Sequence, residues 1–285
     1  CEHEASFLNY RPKIEVITNI DREHLDYYKN LNNILKTFKK FISFLPKDGF
    51  LVLNKEDENI KKLKIPKHKF KIKEYSLKQK EAGKIKKILK IPGNHNVYNA
   101  LAALAVARIL KIPDKISFNA LSQYRGSWRR FDIKEGKIFG SKEAVLLNDY
   151  AHHPTEIKAL FSALEEKFKN KKIWIVFQPH QYQRTFYLFK DFVRVLSEFK
   201  GEKLIITDIY DVAGREQKSI KKSVSSEKLV KEIKKKNKLS VIYLPSFKEI
   251  LNYLEKNLRG GEVLVIMGAG DIYDLNNFLP LTLKQ

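Results

Sequence analysis

The chain has 285 residues, long enough for two domains that each bury a core. A 43% hydrophobic share with 12% aromatics predicts a folded globular protein; no apolar run approaches the roughly 20 residues of a membrane-spanning helix, and a single cysteine excludes an internal disulfide, in keeping with a cytoplasmic location. Fifty-five Lys and Arg against 33 Asp and Glu give a net charge of +22, but the lysines are spread over most helices and concentrate at 84–90 and 231–238 without interleaved aromatics, so they read as solvated surface with a bias toward anionic ligands and no nucleic-acid partner.

The chain opens on Cys1 with no charged-then-apolar signal segment behind it. A lipoprotein tether would run into a polar linker, whereas Ser6-Phe7-Leu8 leads almost at once into a strand, so an interior piece of a longer protein is expected. Residues 13–18 form that strand, and its end carries Asn19-Ile20-Asp21-Arg22-Glu23-His24-Leu25-Asp26. Carboxylates and an imidazole in one turn are plausible ligands for a hydrated divalent cation, and helix capping explains the acids equally well. A helix over 31–45, a turn at 46–49 and a strand at 50–53 follow, then a lysine-rich stretch at 57–90 with short helix and strand patterns.

Ile91-Pro92-Gly93-Asn94-His95-Asn96-Val97-Tyr98-Asn99-Ala100 runs into an alanine-rich helix that Asn94 to Asn96 are expected to cap. Asn96 and Asn99 lie three apart, so their amides can share one side of the first turn, and an amide suits adenine because it donates and accepts at one edge. After a helix near 118–124, Gly126-Ser127-Trp128-Arg129-Arg130-Phe131-Asp132 places two arginines among aromatics, able to clamp phosphate or to pair with surface acids. The glycine and the change of pattern put a domain boundary at 128/129.

From 144 onward, strands at 144–148, 173–177, 203–207, 240–244 and 262–267 alternate with helices at 154–168, 185–199, 226–236 and 247–257, the pattern of an α/β fold with a parallel sheet. Between the first strand and its helix lie Asp149-Tyr150-Ala151-His152-His153 and then Pro154-Thr155-Glu156. A turn at a strand's carboxyl end sits where open α/β sheets bind ligands, although paired histidines before a proline can also simply cap the helix. Zinc is not expected, because no His/Cys cluster has its ligand spacing. Two further strand ends carry Gln178-Pro179-His180-Gln181-Tyr182-Gln183-Arg184 and Thr207-Asp208-Ile209-Tyr210, and Gly268-Ala269-Gly270-Asp271 is small enough for a ligand to approach the backbone.

Six of these segments, in order, resemble the Mur ligases: Thr18-Asn19-Ile20 to Asp26, Gly93 to Asn99, Arg129-Arg130-Phe131, Asp149 to Glu156, Phe177 to Thr185, and Met267 to Asp271. The resemblance implies the later part of the central ATPase domain over 1–128 and a complete Rossmann-like carboxyl-terminal domain with a mostly parallel sheet over 129–285. It lacks the family's glycine-rich phosphate loop, since the Gly83-Lys84 and Gly136-Lys137 pairs stand in the wrong context. The family's metal-binding glutamate falls just upstream of Cys1, with Glu2 and Glu4 only its neighbours. The piece alone is therefore expected to be inactive.

For the whole protein the resemblance is greatest to members that join L-alanine to the lactyl carboxyl of UDP-N-acetylmuramate in peptidoglycan synthesis, with ATP as co-substrate and Mg2+ as cofactor. It implies His24 at the metal, His95, Asn96 and Asn99 at the adenine, Arg130 at the ATP phosphates and Asp149 at the ribose. The acceptor amino acid would lie among Tyr150, His152 and Arg184, with Arg130, His152 and Arg184 the catalytic set and His153 and His180 in the site wall. Gln181 stands where related ligases carry an arginine. The alternatives are a recycling ligase that attaches a whole tripeptide, or a non-catalytic nucleotide- or anion-binding module.

Overall fold

A computed structural model of the protein describes residues 3–65, 69–213, 218–236 and 240–283, so Cys1 and Glu2 lie outside the described residues. The chain divides into two compact units, Cys1–Arg125 and Gly126–Gln285.

In the first unit, β1 (Ile14–Ile17), β2 (Phe50–Asn54) and β3 (Lys71–Tyr75) form a parallel sheet in that order. Side chains alternate across a strand, so Leu51 and Leu53 face one way and Val52 the other. Leu51 and Leu53 join Ile17, Ile34 and Ile42 in one core. The helices before and after β2 are α1 (Leu25–Tyr28), α2 (Leu31–Ile42) and α3 (Glu58–Lys61). Val52 and Tyr75 join a second core with Ile85, Val97, Leu101 and Leu104, supplied by α4 (Lys80–Ile88) and α5 (Asn94–Ile109). Helix α6 (Asp114–Gln123) closes the unit. The start of α5 departs from the sequence expectation: Gly93, at φ 97°, is its N-cap, and Asn94 to Asn96 already lie within the helix. Glycine takes that left-handed conformation without a Cβ clash, which an asparagine cap in extended backbone would not require.

The second unit adds β4 (Asp132–Ile138), β5 (Lys142–Asp149), α7 (Pro154–Lys167), β6 (Ile173–Phe177), α8 (Tyr182–Tyr187) and α9 (Phe189–Ser197). Then come β7 (Lys203–Ile206), α10 (Lys218–Ser223), α11 (Ser226–Lys236), β8 (Val241–Tyr243), α12 (Phe247–Asn257), β9 (Val263–Met267), a 3-10 segment at Asp271–Asn277 and β10 (Leu281–Leu283). The sheet order is β10-β4-β5-β9-β6-β7-β8, with β5 to β8 and β9 mutually parallel and β4 and β10 antiparallel at one edge. The mostly parallel α/β architecture therefore stands. The two antiparallel edge strands escape the sequence reading because β4 is polar and alternating and β10 is three residues long. The helix expected over 185–199 is two helices that meet at Leu188, whose ψ of 17° breaks the run.

Every residue of β6 and β9 is buried, as parallel strands covered on both faces must be. Leu146, Trp174, Val176, Leu264 and Ile266 pack with Ile250 and Leu254 of α12 and with Ile272 and Leu275. Helix α9 packs with both α7 and α11. The last parallel strand, β9, is inserted between β5 and β6, so three carboxyl ends from distant parts of the chain lie side by side. Ligand crevices of doubly wound sheets form at such a reversal of strand order.

Candidate functional site

Asp149 ends β5 with its carboxylate largely buried. Its Oδ2 accepts the Phe131 N–H at 2.8 Å and its Oδ1 accepts the Ala151 N–H at 2.9 Å. Burial pushes this carboxyl up to about 6, against the pull of those two amides and of Arg130. The Tyr150 N–H donates to the Arg129 carbonyl at 2.7 Å, so the turn after β5 is joined to 129–131 on both sides of Asp149.

His153, the second of the paired histidines, is the N-cap of α7: its Nδ1 accepts the Thr155 N–H at 3.2 Å. The capping reading of that imidazole is the one the structure bears out. Glu156 completes the box, its Oε2 accepting from the N–H groups of His152 and His153 at 3.1 and 3.2 Å. The same carboxylate lies 3.2 Å from His152 Nδ1 and accepts from Arg130 Nη1 at 3.3 Å. Burial raises its pKa, but the His152 charge, the backbone amides and Arg130 outweigh that and hold it below the ordinary glutamate range. Glu156 is thus a hub that residue spacing alone presents as a helix-start acid.

His152 Nδ1 has the Tyr150 carbonyl at 2.9 Å and Glu156 Oε2 as neighbours. Both are acceptors, so Nδ1 carries a proton in either charge state of the ring, and when the ring is neutral the lone pair lies on Nε2. The Tyr150 and His180 rings stand edge-on to His152, with centroids at 5.3 and 5.7 Å. His180 stacks on Tyr210 at 5.2 Å, and Arg184 Nη1 donates to the His180 carbonyl at 2.8 Å and lies 3.1 Å from its Nδ1. A guanidinium only donates, so that Nδ1 is the acceptor and the His180 proton sits on Nε2. Tyr150, His152, His180 and Arg184 therefore form one cluster at the ends of β5 and β6, and Tyr210 from the end of β7 joins it.

The protein's own packing already accounts for the glycines after β9. A Cβ on Gly270 would stand 2.5 Å from Gln178 Oε1 and 2.6 Å from Tyr210 Cγ, and one on Gly268 would meet the Gln178 carbonyl at 2.9 Å. The close approach they permit is by the protein's own β6 and β7 ends. Gln178 reinforces it, donating to Asp271 Oδ1 at 2.6 Å and accepting the Ile272 N–H at 3.0 Å.

The two consecutive arginines have different fates. Arg130 is exposed, with its guanidinium 5.3 Å from the Tyr150 ring centroid and in reach of Glu156. Arg129 is buried at 8% exposure and donates from Nη2 to the Gly268 and Gly270 carbonyls at 2.6 and 3.4 Å. Tyr150, Tyr273 and Trp128 surround its guanidinium, at 5.0, 4.8 and 5.5 Å. Nothing in the sequence distinguishes the two, because burial here depends on a loop 139 residues away.

In the first unit, Asn99 is exposed on α5, while Asn96 Nδ2 donates to the Pro92 carbonyl at 2.6 Å and the preceding His95 is half-buried. Tyr98, between the asparagines, donates to Glu56 Oε2 at 2.8 Å, an oxygen that also accepts the Leu77 N–H at 2.8 Å. His24 is the N-cap of α1 at φ 51°, edge-on to His3 at 5.1 Å. The acids beside it serve the turn: Asp21 Oδ1 accepts the Arg22 N–H at 2.7 Å and Glu23 Oε1 the His24 N–H at 3.1 Å. No group of three or more His, Cys, Asp or Glu among the described residues is arranged to hold a metal. His24 offers a divalent cation at most one imidazole nitrogen, whereas magnesium is held mainly by carboxylate, phosphate and water oxygens.

Residues 2–107 match the Mur ligase middle domain, and residues 129–270 match the glutamate ligase domain of Mur ligases. The chain belongs to the Mur ligase family. It is 39% identical over 298 aligned residues to the UDP-N-acetylmuramate–L-alanine ligase of Clostridium acetobutylicum, covering 96% of this chain and 62% of that relative. The chain thus spans about three-fifths of the length of the curated relatives it matches. Among solved structures, the UDP-N-acetylmuramate-alanine ligase of Thermotoga maritima shares the fold at a TM-score of 0.68 and 23% identity, over 96% of this chain and 60% of that one. Another Mur ligase of Thermotoga maritima, in complex with ADP, matches at a TM-score of 0.63 and 16% identity, over 92% of this chain and 59% of that one. Among the described residues no helix is long and apolar enough to cross a membrane.

Proposed function

We propose that the protein of which this chain is the described part joins L-alanine to the lactyl carboxylate of UDP-N-acetylmuramate at the expense of ATP. The observation that carries the reading is the identity of 34 to 39% to UDP-N-acetylmuramate–L-alanine ligases along nearly the whole chain. The strand-end cluster together with Arg130 supports it, because the two arginines offer cations for two anions and His152 an imidazole for an amine. A carboxylate is a poor electrophile. Transfer of the γ-phosphoryl group of ATP to it yields an acyl phosphate and ADP; the alanine amine then attacks the acyl carbon, and phosphate leaves with the carbon–oxygen bonding pair.

In this reading the first unit is the later part of the nucleotide-binding domain, with Asn99 on the adenine edge and His95 and Asn96 beside it. Magnesium, completed by phosphate oxygens and water around His24, would offset charge on the transferring group. Arg130 is assigned to the ATP phosphates and Asp149, through its remaining lone pairs, to the ribose hydroxyls, each by its place in the family pattern. Arg184 pairs with the carboxylate of the incoming amino acid, Tyr150 packs against it, and His152 Nε2 takes the amine proton as the carbon–nitrogen bond forms. His152 keeps Nδ1–H on the Tyr150 carbonyl and Glu156, so the resulting imidazolium is stabilised by an adjacent carboxylate.

The test is phosphate release by the full-length protein with ATP, UDP-N-acetylmuramate and either single amino acids or the L-alanyl tripeptide. L-alanine-dependent release is the expected result; release only with the tripeptide favours a recycling ligase, and none with any acceptor overturns the ligase reading.

A further inference from the structure

Arg129 is a buried cation that forms no ion pair with a carboxylate among the described residues, Asp149 and Asp274 acting on it only from a distance. Its polar contacts are two carbonyls, and its faces lie against Trp128, Tyr150 and Tyr273. Burial lowers its pKa, and a guanidinium in an apolar site costs free energy that an isosteric apolar side chain would not. Stability alone is therefore a poor account of an arginine here, whereas the directed donors of its rigid, planar guanidinium, here Nη2 on the Gly268 and Gly270 carbonyls, can fix the distance between separate chain segments as no apolar group can. Those segments are the Gly268–Gly270 loop after β9 and the 129–131 stretch before β4, joined in turn to the β5 end by the Tyr150 N–H to Arg129 carbonyl bond.

The stretch so held is strained. Arg129 and Phe131 both adopt left-handed backbone, at φ 55° and 53°, an uncommon conformation for bulky residues and one that costs on the order of 1 kcal/mol or more each. Arg130 lies between them. The Phe131 N–H, donated to Asp149 Oδ2, fastens the other side. With both flanks pinned, Arg130 projects over Tyr150 toward Glu156, where a free segment would relax to ordinary backbone and swing the side chain away.

We infer that Arg129 is a positioning residue for the ligation reaction: it locks the strained 129–131 segment onto the ends of β5 and β9 and thereby aims Arg130 at the phosphate group in transfer. The inference rests on the role proposed above for Arg130. Asp149 is the second fastening of the same lock, a duty it performs whether or not it also meets the ribose.

The experiment is a double-mutant cycle in the full-length protein with Arg129→Lys, which keeps the charge and stem but loses the fork, and Arg130→Ala, read as kcat and as KM for each substrate. Arg129→Lys should lower kcat roughly 10- to 100-fold with KM for the amino acid nearly unchanged, the scale of a misplaced catalytic group. In the Arg130→Ala background the same change should cost nothing further. An equal kcat loss in both backgrounds, or no loss in the wild-type background, overturns the inference. Arg129→Gln serves as the second variant should the lysine variant fold poorly. Amide hydrogen exchange at Phe131 and Tyr150 reads the lock without turnover: it should accelerate in Arg129→Lys and stay unchanged in Arg130→Ala. Wild-type turnover in Arg130→Ala together with accelerated exchange in Arg129→Lys would sink the role of Arg130 while leaving the lock in place, and unchanged exchange in Arg129→Lys would sink the lock itself.

Discussion

Arg130 and Glu15 show how little a residue's type says about its work until its surroundings are known. Arg130 makes only a half-exposed ion pair with Glu156, worth about 0–1 kcal/mol, so Arg130→Ala should leave the unfolding midpoint within a degree or two of wild type. On the proposed mechanism the same change should lower kcat by roughly 100-fold or more, because a cation facing developing charge acts mainly in the transition state. Stopped assays beside a thermal melt check both halves. Glu15 on β1 is the converse: 3% exposed, with neither carboxylate oxygen hydrogen-bonded among the described residues, and pushed by burial up to about 8. Its folded pKa lies above its unfolded value of 4.5, so the native state holds a proton that the unfolded chain has lost, and stability falls as pH rises from about 4.5 through 8. Glu15→Gln should flatten that slope, and Glu15→Leu should stabilise by roughly 1–3 kcal/mol at pH 8. Denaturant titrations at pH 5 and 8.5 decide it, and an unchanged slope in Glu15→Gln would assign the pH dependence elsewhere. The chemistry of the 149–156 turn was legible in the sequence because an apolar run ends there on polar residues and Pro154 starts a helix. The burial of Arg129 and Glu15 was not, since each depends on contacts with distant segments.

At the scale of elements, the parallel strands announced themselves as apolar runs bounded by turn residues, and their spacing implied the crossovers. What spacing could not show is that β9, last of the parallel strands, lies between β5 and β6, or that the glycines behind it serve the packing of Gln178 and Tyr210. That packing is testable. Gly270 has a negative φ of −85°, so Gly270→Ala calls for no left-handed backbone and chiefly adds a methyl group 2.5 Å from Gln178 Oε1 and 2.6 Å from the Tyr210 ring. Overpacking of this kind costs about 1–3 kcal/mol. Tyr210 must shift to make room, and the His180 ring stacked on it must follow, so the variant should also raise KM for the amino acid. A melt with wild-type midpoint and unaltered KM would show that the Gly270 contact has slack. Glu156 belongs to the same scale: by capping α7 with His153 it fixes the helix start, and through the other contacts of its carboxylate it fixes His152 and Arg130. One acid thereby couples the local structure of a helix to the geometry of the candidate site, which no periodicity in the sequence encodes.

At the scale of the molecule, the two units differ in how completely each closes its own sheet. Among the described residues of 126–285 there are seven strands whose central members are covered on both faces, and the polar, antiparallel β4 and the short β10 blunt one edge. Among the described residues of 1–125 there are three parallel strands, with β1 at an edge, Val16 on it 40% exposed and the buried Glu15 beside it without a hydrogen-bond partner. Parallel sheets are ordinarily larger and covered on both faces, and a buried carboxyl without a hydrogen bond subtracts from whatever the cores contribute. The larger unit should therefore fold by itself as a domain of ordinary size, with one cooperative denaturant transition and dispersed amide signals. The smaller should be less stable in isolation by several kcal/mol, and Glu15→Leu should recover part of that deficit. Expressing 1–125 and 126–285 separately and titrating each with urea measures both. A first piece as stable as the second would mean that its two cores outweigh the exposed edge, and that the cost assigned to Glu15 is overstated.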